Sequence, residues 1–209
     1  MVLWIVLSIV VVMAIVGIVF VNQPSFGRIP RGERLARIER SPNYRDGAFR
    51  NIHETPLMTS DKGRLQGLLD FVFEDKTELQ PDSALTVVKT DLRQIDPEED
   101  VLVWFGHSSY LIQVDGKRVL VDPVFCMASP VSFINKPFKG TDVYHPEDMP
   151  DIDYLVISHD HWDHLDYHTV RALKDRIGKV ICGLGVGEHF EYWGFDKERI
   201  VELDWEDKV

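Results

Sequence analysis

The stretch Ser158-His159-Asp160-His161-Trp162-Asp163-His164-Leu165-Asp166 sets three imidazoles and three carboxylates within eight residues. An extended backbone projects residues two apart from the same side, so His159 and His161 can serve as two ligands of one metal ion. Asp163 and His164 fall where the chain turns into a helix and point in other directions, which suits a second ion a few ångströms away. Nitrogen and carboxylate donors without thiolate fit zinc, with iron or manganese as alternatives. A polar helix cap, with Asp163 or Asp166 as the capping carboxylate, accounts for one His and one Asp. It does not account for six such side chains, whose joint desolvation costs too much without a cation.

These residues need a strand before them and a helix after them, and the pattern supplies both. Tyr154–Ser158 is a short apolar run that fits a buried strand, and Leu165 through Ile177 shows helical spacing at Val170, Leu173 and Ile177, closed by Gly178. Upstream, Val101–Phe105 and Ser109–Val114 are rich in β-branched and aromatic residues. Asp115-Gly116 then joins the second run to Lys117–Asp122 as a hairpin turn, because both positions tolerate positive φ. Ala128–Pro150, with four prolines, is a long irregular loop of the kind that tends to carry function. Val180–Cys182 and Ile200–Leu203 read as strands and Gly187–Trp193 as a short helix. The order is a β-meander passing into β-α-β-α-β, an α/β sheet with helices on at least one face.

With 44% hydrophobic and 27% charged residues, most of the 209-residue chain should fold. Two cysteines, Cys126 and Cys182, are too few for a disulfide scaffold or a Cys-rich zinc module. A net charge of −11 argues against nucleic acid as a partner. That average hides distinct zones. Val2 to Val21 holds no ionisable side chain, and as a helix it would span about 30 Å, the thickness of a bilayer core. Residues 1–22 are therefore expected to be an uncleaved single-pass anchor. A signal peptide would show a basic start and a shorter apolar core.

Residues 23–50 form a basic juxtamembrane leader, in which Arg28 to Arg50 carries seven arginines against three acidic residues. Such a flank favours a cytoplasmic location for the folded part, and it can also rest on anionic head groups. A short amphipathic helix over Glu33–Arg40 is compatible with this. Residues 51–100 are an extension with one helix candidate at Gly63–Phe73, and 101–209 hold the catalytic sheet.

The run His159-x-His161-x-Asp163-His164 resembles the signature of the metallo-β-lactamase superfamily. Trp104-Phe105-Gly106-His107-Ser108-Ser109, Asp122-Pro123-Val124-Phe125 and Ala128-Ser129-Pro130 look like the branch containing N-acyl-phosphatidylethanolamine-hydrolysing phospholipase D and its bacterial relatives. Ser41-Pro42-Asn43-Tyr44, Asp46-Gly47 and Phe49 are similar to the leader of membrane-attached bacterial members. A neighbouring branch holds lactonases. The resemblance implies an αββα sandwich whose two β-rich halves meet at a dinuclear zinc site. His159 and His161 would bind the first ion, and Asp163 and His164 the second. Asp163 would also act as the catalytic residue that orients a metal-bound hydroxide. Asp122, ending its strand, would support the ligands from behind. His107, in the loop after another strand, would either do the same or be a plain satisfied histidine.

Family members complete each metal with ligands from the second half of the sandwich, a further His, a bridging Asp and another His. Here Asp204–Val209 follows straight after the last strand candidate. His168, His189, His145 and His53 do not match the pattern. The expected fold is thus the first half of a metallo-β-lactamase αββα sandwich after one transmembrane helix, with 101–209 as a partial hydrolase domain. A truncated product, a second chain that completes the sandwich, or pairing of two copies would each explain this. The expected function is a membrane-attached zinc-dependent hydrolase of phosphodiester or ester bonds, phospholipase D-like, with a membrane lipid or small-molecule substrate and the bilayer as partners. A lactonase is the alternative within enzymes. A catalytically incomplete remnant or partner subunit is the alternative outside them.

Overall fold

Runs of alternating apolar and polar residues after residue 100 form one six-stranded sheet. A computed structural model describes residues 1–53, 55, 63–73, 79–131 and 135–209. Parts of the expected 51–100 extension and three residues of the loop Ala128–Pro150 lie outside the described residues. The sheet comprises β3 (Val101–Gly106), β4 (Ser109–Val114), β5 (Lys117–Val121), β6 (Ile152–Ile157), β7 (Ile177–Gly183) and β8 (Ile200–Leu203), paired in that order. A two-stranded hairpin, β1 (Tyr44–Arg45) and β2 (Ala48–Phe49), stands apart in the leader.

β3, β4 and β5 are antiparallel neighbours, and Asp115-Gly116 makes the turn between β4 and β5 with φ of +48° and +69°. From β5 onward every pair is parallel. Parallel pairing needs crossovers. The loop Ala128–Pro150 supplies the first, α4 (Tyr167–Leu173) the second and α5 (Gly187–Tyr192) the third. Helical spacing through Ile177 is overridden by the sheet. The α-helix ends at Leu173, a 3-10 turn covers Lys174–Arg176, and Ile177 opens β7 opposite Ile152.

Both helices lie on one face. Leu111, Leu120, Leu155, Val180 and Cys182 from the strands pack with Val170, Leu173, Phe190 and Trp193 from the helical layer. Each large side chain removed from water there stabilises the fold by about 1.5–3 kcal/mol. The opposite face is also apolar but open, with Leu102 and Trp104 on β3 at 65% and 66% exposure. One helix layer packed on a sheet of mixed parallel and antiparallel strands is the α/β architecture that the sequence pattern implied.

Toward the N-terminus, α1 (Val2–Val21) has no buried residue and, among the described residues, is the one helix long and apolar enough to cross a membrane. The leader helix α2 (Gly32–Glu39) and α3 (Arg64–Phe73) fall where the periodicity places them. α2 is fastened by its arginines, Arg37 donating to Glu202 O at 2.8 Å and Arg34 to three carboxylates. Arg34 donates to Glu202 (2.8 Å), Glu188 (2.5 Å) and Glu191 (3.0 Å), which ties α2 to β8 and α5. Burial works to lower the Arg34 pKa, but the hydrogen bonds to these carboxylates outweigh it and hold it above its ordinary value. Arg34→Met leaves Glu202 and Glu188 with only 9% and 14% of their side chains exposed and no cation between them. The expected cost is about 2 kcal/mol, read as a lower urea midpoint in pulse proteolysis of the full chain.

Candidate metal centre

The parallel register of β5 and β6 places Asp122 beside the end of β6. Its backbone N–H continues the ladder by donating to Val156 O at 3.0 Å. Its carboxylate is 2% exposed as a residue and faces the first turn of the metal-type loop. Oδ1 accepts from Ser158 N at 2.8 Å, and Oδ2 accepts from Ser158 Oγ at 2.6 Å. Oδ2 also lies 2.9 Å from His164 Nδ1. A proton on His164 Nδ1 donated to this carboxylate leaves Nε2 as the free lone pair, the tautomer a metal ligand needs. Ser158 Oγ stands 3.0 Å from His159 Nδ1 and orients that ring in the same sense.

Backbone turns bring the rest of the cluster around. His164 N and Leu165 N both donate to His161 O, at 3.0 and 2.7 Å, so the chain reverses inside the motif. The His159 ring centroid is 4.5 Å from that of His161 and 4.0 Å from that of His164. Burial, and then the neighbouring imidazoles of His164 and His161, push the His159 pKa down, which favours the neutral ring.

The turn between β3 and β4 adds His107. Its Nε2 is 3.3 Å from Asp163 Oδ2, and its ring centroid is 5.1 Å from that of His164. One ligand atom each from His107, Asp163 and His164 lie within 4.8 Å of one another. His107 has φ +45° and Asp122 φ +41°, a left-handed backbone that costs about 1–2 kcal/mol for a residue with Cβ. Trp104 Nε1 donates to His107 O at 3.0 Å and braces the strained turn. Strain gathered at two residues that meet the same imidazole points to a site rather than to a loop accident.

His159, His161, Asp163 and His164 thus share one end of the sheet, with Asp122 behind them and His107 beside them. His168 sits exposed on α4, where its N–H donates to Asp166, and His145 begins a 3-10 turn. Neither is brought to the cluster. His189 is turned to another task, with Nδ1 accepting from Arg28 N at 3.0 Å and Nε2 lying 3.3 Å from Asp160 Oδ2. That contact holds the Asp160 carboxyl below its usual range against the opposing effect of burial. The sequence reading missed Ser158, whose signal is a hydroxyl placed directly between a buried strand and the first His. An open cleft of about 470 Å³ flanks the cluster, lined by Ala128, Ser129, Pro130, Asp160, Trp162 and Asp163 among others.

Residues 117–209 match the family described as the Beta-lactamase superfamily domain. An uncharacterized protein of Mycobacterium tuberculosis is 37% identical over 174 residues, covering 80% of this chain and 45% of its own length. The N-acyl-phosphatidylethanolamine-hydrolyzing phospholipase D 1 of Caenorhabditis elegans is 32% identical over 112 residues, 49% of this chain and 30% of that protein. A UPF0173 metal-dependent hydrolase of Thermodesulfovibrio yellowstonii is 25% identical over 100 residues, 47% and 34% of the two chains. The chain therefore spans under half the length of these curated relatives. The matched region, from β5 to the end of the sheet, is similar to a beta-lactamase superfamily domain, metal-dependent hydrolases are among the chain's relatives, and a His/Asp cluster lies at the end of the sheet.

Proposed function

We propose that this chain is a membrane-attached, zinc-dependent hydrolase of phosphodiester or ester bonds, phospholipase D-like, with its folded part on the cytoplasmic side. The observation that carries the reading is the convergence of His107, Asp163 and His164 donor atoms, backed by a buried Asp122, at the strand end where His159 and His161 also stand. The donor set is nitrogen and carboxylate oxygen, which suits zinc and also iron or manganese. His159 and His161 would hold one ion, and Asp163 and His164, with His107 alongside, a second. A bound divalent ion supplies Lewis acidity and lets a water ionise near neutral pH.

The protein's own groups do the rest. Asp122 keeps the proton of His164 on Nδ1. Asp163 orients the attacking water, and His107 Nε2 holds that carboxylate in place. The cleft beside Trp162 receives the scissile group of a lipid or small-molecule ester. The similarity to a phospholipase D that hydrolyses N-acyl-phosphatidylethanolamine, together with the twenty-residue apolar helix, favours lipid over a lactone.

The test is metal loading of the full chain in nanodiscs followed by dialysis, elemental analysis and assay against bis-p-nitrophenyl phosphate. Retained zinc, up to about two ions per chain and lost in a His159→Ala/His161→Ala variant, with hydrolysis that follows zinc content, is the expected result. A chain that retains no metal overturns the proposal. Retained zinc without hydrolysis of the phosphodiester, N-acyl-phosphatidylethanolamine or a lactone supports instead a metal-binding partner subunit. That second reading rests on the His159 and His161 pair, two ligands at the first ion where catalytic zinc uses three.

A further inference from the structure

The leader is built into the wall of the metal centre. Only Asn22 and Gln23 separate the end of α1 from a 3-10 turn at Pro24–Phe26. That turn is docked, because Trp193 Nε1 donates to Pro24 O at 2.8 Å. The Phe26 ring meets Phe20 of the last turn of α1 on one side, at 5.3 Å between centroids, and Trp162 of the metal loop on the other, at 5.2 Å. Gly27 has φ +69°, and a Cβ there would come within 1.9 Å of His189 Nδ1. The adjoining Arg28 N–H donates to that same Nδ1, and His189 Nε2 reaches Asp160. The Arg28 guanidinium lies 4.4 Å from the centre of the Tyr192 ring. Asp160 and Trp162, the two ends of these contacts, both line the cleft.

We infer that Pro24–Arg28 is a clamp that holds the metal loop against the bilayer, so that the cleft opens onto a lipid surface and takes its substrate from the head-group layer. This rests on reading α1 as a membrane span. Two ring contacts in series connect the hydrophobic helix to Trp162, a residue type suited to the membrane interface. Arg28 and Arg31 are exposed on the same short segment and complement anionic head groups. The hairpin between β4 and β5 lies at the opposite end of the strands and points away from this surface.

The test uses spin labels on the full chain in nanodiscs of phosphatidylcholine with phosphatidylglycerol, with Cys126→Ser throughout. One label is placed by Ala128→Cys at the cleft and another by Val114→Cys at the far hairpin. The cleft label is expected to collide less with an aqueous nickel complex and more with oxygen than the hairpin label. Gly27→Val, which drives a side chain into His189, should move the cleft label into water. A flexible Gly-Ser insertion between Asn22 and Gln23, which uncouples Phe20 from Phe26 but keeps the Pro24–Arg28 contacts with Trp193, His189 and Trp162, should let the whole domain lift off and do the same. A cleft label as wet as the hairpin label, or one unmoved by both changes, overturns the clamp while leaving the hydrolase reading intact. Release of the chain by alkaline carbonate overturns the anchor, and the clamp with it.

Discussion

Replacing Asp166 with alanine lowers the stability of the folded chain by about 3–5 kcal/mol, the largest single loss expected outside the hydrophobic core. Asp166 is fully buried, and its carboxylate meets four donors. Oδ2 accepts from Cys126 N at 2.8 Å, Met127 N at 3.0 Å and Thr169 Oγ1 at 2.5 Å. Oδ1 accepts from His168 N at 3.0 Å and so caps α4. Thr169 Oγ1 in turn accepts from Phe125 N at 2.9 Å. One anion therefore joins the loop after β5 to the first turn of α4. Its removal strands backbone N–H groups away from water, while the cap alone is worth about 1 kcal/mol. Asp166→Asn should fall between the two, since its amide nitrogen must face at least one donor. Urea-dependent pulse proteolysis reads the difference. A loss in the alanine variant no larger than an ordinary surface substitution, about 0.5 kcal/mol, contradicts this account.

Asp122→Ala is expected to weaken zinc binding 10- to 100-fold, on the order found when the partner behind a metal-ligating histidine is removed. The carboxylate fixes His164 through Nδ1 and Ser158 through both its N–H and its hydroxyl. Without it, Ser158 Oγ loses its acceptor and His164 can take the other tautomer. Asp122→Asn keeps one oxygen for these donors and should lose less. Competition with a chromophoric zinc chelator measures both variants against the parent chain. Equal affinity in all three would show that Asp122 serves the fold alone. The left-handed backbone at Asp122 sharpens the expectation, because alanine tolerates φ of +41° less well than aspartate.

The legible part of this protein is what local rules decide. Residues two apart on an extended chain face one way, so His159 and His161 could be paired from spacing alone. Asp-Gly between two β-rich runs specified the turn at Asp115-Gly116, and a twenty-residue run without an ionisable side chain specified α1. The helix after the metal motif was legible as an element but not at its end. Ile177 fits a helical face and a strand equally well, and pairing with Ile152 decided the matter.

Other features depended on packing between distant segments. His107 is more than fifty residues from Asp163, and no spacing rule relates them. They meet because the β3–β4 turn and the end of β6 lie at one end of one sheet. Asp122 joins them because β5 and β6 run parallel in a register that sets it beside Ser158. The docking of Pro24–Arg28 on His189 and Trp162 was equally hidden, since a basic, turn-rich leader reads as solvated until α5 and the metal loop supply its partners. By itself the sequence determined which candidate ligand types the chain sets side by side, because ligand types and their local projection are properties of neighbouring residues. Only the tertiary structure decided which further side chains, His107, Asp122 and Ser158, join that cluster and that the leader docks beside it, because sheet register and leader docking are long-range contacts.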